Sequence, residues 1–256
     1  MTEVPVAYAW RTNAALLTDA VFPVLRAAGL WSDDMTALDP TYGDGKWWTE
    51  YRPANLTTRS RRDDPGWDYR SMPWADDTFS LVAYDPPYVC KGGRDTSTIE
   101  KMNDAYGLDD APLTPEGLLK MNHAGLAECL RVANRCVLLK SMSFVSGGVL
   151  HCHTDALVAG AERGGWAVYE QFVHLPTGGR PQPPGRRQLR GRRRPSTLTV
   201  LVPRRLRRGA SLAWPSTPPL DGHHDRGGAT PHRSLTGHRT WTNDNTNQHL
   251  PGGIPS

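Results

Sequence analysis

Apolar positions alternate between two periods along most of the chain. Over 13–28, Leu16, Leu17, Ala20, Val21, Val24 and Leu25 recur at helical spacing, with Thr12 or Asn13 as a cap and Gly29 as a stop. Pro23 interrupts that pattern. Short apolar runs over 35–39, 54–58, 79–84 and 136–140 read as buried strands. Thr114-Pro115-Glu116 reads as a helix start: a capping hydroxyl, a proline in the first turn and an acid at the positive end. The helix it opens runs to about Asn134, with Leu118, Leu119, Met121, Leu126, Leu130 and Val132 mainly on one side. A short helix over 154–163, closed by Gly164-Gly165, precedes two final strands over 166–175 and 196–202. Alternating strands and helices predict an α/β fold with a mostly parallel sheet, closed by an antiparallel hairpin. Ligands of such sheets bind outside the carboxyl ends of the strands.

Composition divides the chain. Residues 1–176 carry 16 basic and 23 acidic side chains, whereas 177–208 carry 11 arginines and no acid. A focused cationic segment, about 177–195 at the hairpin tip, suits a polyanion. A solvated loop in an arginine-rich chain, with 25 Arg against five Lys, is the alternative. From 204 to 256 the sequence is rich in Pro, Gly, Thr, His and Asn with little apolar periodicity, so 1–203 is expected to fold as one domain and 204–256 to form a disordered tail. Four cysteines are too few for a disulfide scaffold, no apolar run approaches the ~18 residues of a membrane helix, and Met1–Pro5 has no signal-peptide character. A cytoplasmic protein is expected. His151-Cys152-His153 has no second pair with metal-ligand spacing, so no metal is expected.

Two predicted strand ends carry unusual residues. In Asp39-Pro40-Thr41-Tyr42-Gly43-Asp44-Gly45 a strand enters a turn with two glycines, which lets backbone approach a ligand and leaves a carboxylate at the strand tip. A plain tight turn also explains it. In Asp85-Pro86-Pro87-Tyr88 two prolines hold the backbone extended and remove two donors. The Asp85 carboxylate, the Pro86 carbonyl and the Tyr88 ring suit a planar group bearing an exocyclic amine; a rigid strand-to-loop turn is the alternative. Trp47 and Trp48 read as core residues beneath the glycine turn, and Cys90 as a loop or packing residue.

These residues resemble a known family. Asp39-Pro40-x-x-Gly43-x-Gly45 is similar to the first motif of class I S-adenosylmethionine-dependent methyltransferases, and Asp85-Pro86-Pro87-Tyr88 to the catalytic motif of the amino-methyltransferases, above all the adenine-N6 DNA enzymes. Asp68-Tyr69-Arg70-Ser71-Met72-Pro73 resembles the intervening motif. Thr41-Tyr42-Gly43, Thr96-Ser97-Thr98-Ile99 and Arg180-Pro181-Gln182-Pro183 resemble methyltransferase-like proteins of actinobacteria and their phages. The likeness spans residues 10 to 202.

It implies a Rossmann-like, seven-stranded, mostly parallel sheet and S-adenosylmethionine as cofactor. Asp39, Pro40, Thr41, Gly43 and Gly45 would hold its methionine part, Asp68 its adenine amine, and Asp85, Pro86, Pro87 and Tyr88 the target base. The acid that family members carry after the second strand is not evident in 55–64, where Thr57, Thr58 and Asp63 are the candidates for the ribose. The implied activity is methyl transfer to an exocyclic amine of a nucleic-acid base, adenine N6 in DNA first. Guanine N2 in RNA, cytosine N4 in DNA and a decayed, non-catalytic nucleic-acid-binding protein are the alternatives. Phosphate contacts would come from Lys91 and Arg94 in a polar loop, which Gly92-Gly93 would hinge over a flipped base, and from Arg186, Arg187, Arg190, Arg192, Arg193 and Arg194 in the basic hairpin.

Overall fold

The computed structural model describes residues 10–88, 114–175 and 195–207. Six strands form one sheet: β1 (Ala37–Asp39), β2 (Leu56–Thr58), β3 (Phe79–Tyr84), β4 (Ala133–Ser141), and, after a separate two-stranded hairpin of β5 (Phe144–Ser146) and β6 (Val149–His151), β7 (Trp166–His174) and β8 (Ser196–Pro203). The order across the large sheet is β2-β1-β3-β4-β8-β7. Neighbours from β2 to β4 run parallel, and β8 runs antiparallel to both β4 and β7. The α/β class, the mostly parallel sheet and the closing antiparallel pair are therefore present. The seventh strand is not: among the described residues the sheet has six, because the chain returns from β2 to β3 through turns over 59–78 that contain no strand.

Each sheet face is covered, as a parallel sheet requires. Alternation along the strands sorts the core. Ala37, Leu81, Ala83, Cys136 and Leu138 pack with Leu198, Val200, Leu17, Phe22, Trp31 and Trp48 on one side. Leu38, Val82, Tyr84, Val137 and Leu139 pack with Leu126, Cys129, Leu157 and Trp166 on the other.

The first face is covered by helix α1, residues 13–27. Thr12 caps it, its hydroxyl accepting from the Ala15 N–H at 3.0 Å. A wider π turn, Leu17–Val21, lies in its middle, with the Phe22 N–H donating to the Leu17 carbonyl. That re-phased ladder is what admits Pro23, which has no N–H to give. The second face is covered by α2 (Pro115–Val132) and α3 (His153–Arg163). Thr114 caps α2 as its sequence predicts, accepting from the Gly117 N–H at 3.1 Å. At its far end Arg131 donates to the carbonyls of Met72 and Trp74 and pairs with Glu128 and Asp76, which ties the 67–76 loop to the helix.

One further correction concerns the expected tail. Arg204–Arg207 forms a helical turn, α4, anchored by the Arg204 N–H on the Gly165 carbonyl at 3.0 Å and by the Arg204 guanidinium on the Glu162 carbonyl. The fold thus continues past 203, because the arginines find carbonyl acceptors at the end of α3; the rest of the tail lies outside the described residues. No helix among the described residues is long and apolar enough to cross a membrane.

The centre of α2 meets β3 at Gly125. A methyl group there would come within 2.2 Å of the Tyr84 hydroxyl and 2.6 Å of the Tyr69 ring, both rings being buried. Gly125→Ala should therefore lower stability by about 2 kcal/mol despite the better helix propensity of alanine. Urea unfolding checks this; a neutral or stabilising result contradicts the close approach.

Candidate active site

The chain leaves β1, crosses to β2 on one side and returns to β3 on the other, so the topological switch point lies between the carboxyl ends of β1 and β3. Asp39 closes β1 and Asp85 directly follows β3. Continuing the strand alternation, both project on the α1 face, with Ala37 and with Leu81 and Ala83. The two strand ends are linked by Thr41, whose hydroxyl accepts the Asp85 N–H at 3.0 Å and lies 3.4 Å from Asp39 Oδ1. The sequence-predicted residues Asp39, Thr41, Gly43 and Asp85 line one cleft of about 170 Å³, with Asn13 from α1, Tyr42 and Trp47 among its other walls.

The glycine turn is shaped for that cleft. Gly43 and Gly45 both adopt left-handed backbone conformations, φ 52° and 67°. At Gly45 a side chain would also meet Tyr42, its Cβ lying 2.5 Å from the Tyr42 hydroxyl. Arg52 holds that ring in place, donating to the hydroxyl at 2.9 Å. Asp44 pairs with Arg62 and, at 3.4 Å, with Lys46.

After Gly45 a single 3₁₀ turn, Lys46–Trp48, delivers two consecutive indoles to the two carboxylates. Trp48 Nε1 donates to Asp39 Oδ2 at 2.7 Å, and Trp47 Nε1 to Asp85 Oδ2 at 3.0 Å. Both rings are buried, as expected, but their polar edges have a second use that burial patterns do not reveal. Both Asp39 oxygens are occupied, since Oδ1 accepts the Thr41 N–H at 2.9 Å. Asp85 differs: its Oδ1 is buried and has no hydrogen-bond partner among the described residues.

Burial dominates the acidity of both groups. It pushes Asp39 up to about 7, with the Asp85 charge adding to the rise and the Trp48 and Thr41 donors opposing it. It pushes Asp85 up to about 6, opposed by the Lys140 ammonium and the Trp47 donor. Lys140, near the end of β4 and almost fully buried, closes the apolar run 136–140, and nothing in the sequence marks it as a site residue.

The Pro86-Pro87 segment is buried and fixed from α2: Asn122 Nδ2 donates to the Pro87 carbonyl at 2.9 Å. No hydrogen bond among the described residues engages the Pro86 carbonyl. Tyr88 is partly exposed at the end of this segment.

Asp68 lies away from the main cleft. Its carboxylate is gripped by Arg70, Nε to Oδ1 at 2.8 Å and Nη2 to Oδ2 at 2.9 Å, which holds its pKa below the usual carboxylate range. Its neighbours Trp67 and Tyr69, with Pro40, Thr41, Gly43, Ser60 and Arg61, line a narrow crevice adjoining the cleft. Of the ribose candidates, Thr57 and Thr58 lie within β2, and the chain continues from it as Arg59-Ser60-Arg61 with no acid at the strand end. Lys91, Arg94, Arg186, Arg187, Arg190, Arg192, Arg193 and Arg194 all lie outside the described residues. His151 ends β6 and His153 opens α3, its Nε2 meeting the Pro115 carbonyl at 3.1 Å. Among the described residues no group of three or more His, Cys, Asp or Glu side chains is placed to hold a metal ion.

No protein-family model, curated protein or solved structure matches the chain.

The protonation of Asp39 gives a pH signature. A native carboxyl at about 7 holds a proton that an unfolded aspartate, at 3.8, has released. Its contribution to stability is fully present below pH 3.8 and is lost as pH rises through 7. Between pH 5 and pH 8 the wild type should lose about 2 kcal/mol more stability than Asp39→Asn. Urea unfolding at the two pH values measures the difference; equal losses contradict a buried, protonated Asp39.

Proposed function

We propose that the chain transfers a methyl group from S-adenosylmethionine to an exocyclic amine of a nucleic-acid base, adenine N6 in DNA foremost. The observation that carries this reading is Asp85 Oδ1, a buried acceptor without a partner in a residue that lines the switch-point cleft. A buried carboxylate oxygen left unbonded is costly, so it points to a donor supplied from outside the protein. An amine N–H is such a donor.

The residues fit the cofactor in two respects. The left-handed Gly43 and Gly45 leave a turn that a side chain would fill, at the carboxyl end of β1. The cleft and the crevice share Thr41 and Gly43, so the two are continuous, and the crevice, at about 10 Å³, would have to widen to admit the aromatic end of a ligand whose charged end lies in the cleft. Thr41, Gly43 and Gly45 would hold the amino-acid end, Asp39, whose oxygens are already bonded within the protein, would form the wall behind it, and Trp67, Tyr69, Ser60 and Arg61 would border the nucleoside end. When bound, the cofactor supplies an electrophilic methyl group on a sulfonium.

The chain's own work is orientation and charge. Asp85 Oδ1 accepts one amine N–H and the Pro86 carbonyl the other, which turns the nitrogen lone pair away from the protein and into the cleft. As positive charge grows on that nitrogen, the fixed carboxylate stabilises it without reorganisation. The new N–C bond would replace the methyl–sulfur bond, leaving a neutral thioether, and the surplus N–H proton would pass to solvent through the open cleft. Trp47 holds the other carboxylate oxygen, so Asp85 cannot swing. Asn122 fixes the proline pair from behind. Tyr88 offers a flat face to a base taken out of its stack. One observation favours a non-catalytic reading: Arg59-Ser60-Arg61 stands where an acid would receive the ribose hydroxyls.

Labelled methyl transfer onto adenine-only and cytosine-only DNA and onto RNA tests the proposal. Label is expected on adenine DNA, and Asp85→Ala should lower the rate about 100-fold. The rate should also fall as pH drops through about 6, where Asp85 takes up a proton and ceases to be a full acceptor. No incorporation into any of the three, or near-full activity in Asp85→Ala, overturns the reading.

A further inference from the structure

The α1 face of the sheet carries a row of ionisable side chains along its carboxyl edge. Asp39 stands at β1, Asp85 after β3, Lys140 near the end of β4 and His174 at the end of β7. Register places them in line. Tyr84 pairs with Leu139, so Asp85 and Lys140 are the next residues on adjacent strands. Lys140 and Phe172 both pair with Leu198 of the intervening β8, and His174 follows Phe172 on the same face.

Lys140 is 1% exposed. Its ammonium donates to Asn13 Oδ1 and lies 3.2 Å from His174 Nδ1. His174 Nε2 in turn lies 3.1 Å from the Trp10 carbonyl, so His174 donates there and accepts at Nδ1. That tautomer is neutral, and burial together with the nearby ammonium keeps it so. The lysine is thus fastened from two sides by neutral groups, and the acid that register sets on the adjacent strand is Asp85, whose charge opposes the effect of burial on the ammonium. Its grip on Asn13 also reaches the cleft wall.

A buried ammonium without a countercharge is strongly unfavourable, and so is a buried carboxylate. Each here lowers the cost of the other. We infer that Lys140 is a positioning residue of the Asp85 site: held behind the strand ends by Asn13 and His174, it keeps the Asp85 carboxylate ionised at the wall of the cleft. The inference rests on the proposed transfer for its use, and on the row of side chains for its existence. The other charged groups near Asp85 act differently. Asp39 opposes its ionisation when charged, and Asp44 and Lys46 largely satisfy each other at the mouth of the cleft.

The test reads Asp85 directly, by carbon NMR of labelled aspartate carboxyls in the full chain. In Lys140→Met, Asp85 should titrate about one pH unit or more higher than in the wild type, and in Lys140→Arg close to it. Should the methionine variant fail to fold, Asp85→Asn reads the same coupling from the other partner: the Lys140 Nζ titration should fall, and by an equal amount where both variants are measured. An unmoved Asp85 in Lys140→Met, or an unmoved Lys140 in Asp85→Asn, overturns the inference. Methyl transfer separates it from the proposed function. If both hold, the acid limb of the rate in Lys140→Met shifts with Asp85. If Asp85 shifts but no variant and no wild type transfers methyl, the charge pairing stands and the transferase reading falls.

Discussion

Two acidic side chains, Asp39 buried and Asp85 partly so, are held at neighbouring strand ends by two indole N–H groups from one short turn, and the architecture around the cleft follows from that constraint. Trp47 and Trp48 are consecutive, yet a 3₁₀ turn directs one to Asp85 and the other to Asp39. The turn can form only because Gly45 takes a left-handed conformation with Tyr42 pressed against it. Hydrogen bonds to charged groups contribute about 1.5–3 kcal/mol each, enough to offset part of the desolvation of each acid but not all. The remainder holds the pKa of both residues above the usual carboxylate range, Asp39 at about 7 and Asp85 at about 6. Uncompensated desolvation of this kind at a sheet's switch point is what the proposed ligand site rests on.

The two acids are not equivalent. Asp39 spends both oxygens on the protein, and so serves as the knot joining β1, Thr41 and the tryptophan turn. Asp85 spends one oxygen and leaves the other buried and unpaired. Lys140 faces Asp85 from the next strand and not from solvent, which leaves the cleft side of Asp85 open. Division of labour between two similar residues, one structural and one poised, is set by environment and not by residue type.

Much of the scaffold was legible from apolar spacing. The runs at 79–84 and 136–140, the Thr114-Pro115-Glu116 cap and the final hairpin appear where the pattern puts them. The β5–β6 pair was not readable, because Phe144–Ser146 and Val149–His151 are too short and too mixed to show a period. Helix α1 survives Pro23 only through a π turn, a local solution that propensity does not announce. At the site, Asp39, the glycines and Asp85 stood out because strand-end acids beside Gly and Pro are unusual. The indole bonds and Lys140 did not. Trp47 reaches Asp85 across 38 residues and Lys140 meets His174 across 34, and such contacts exist only once the sheet order is known. Asp68 shows the converse: the family resemblance implies a ligand contact there, while Arg70, two residues on, pairs with its carboxylate.

The proposed transfer requires the switch-point cleft to bind S-adenosylmethionine. Equilibrium dialysis of the full chain with the labelled cofactor tests it without requiring a substrate. The account predicts saturable, one-to-one binding that weakens at least tenfold when Gly45→Val blocks the turn against Tyr42 and that persists in Asp85→Ala. Absence of saturable binding by the wild-type chain, or binding indifferent to Gly45→Val, would contradict it.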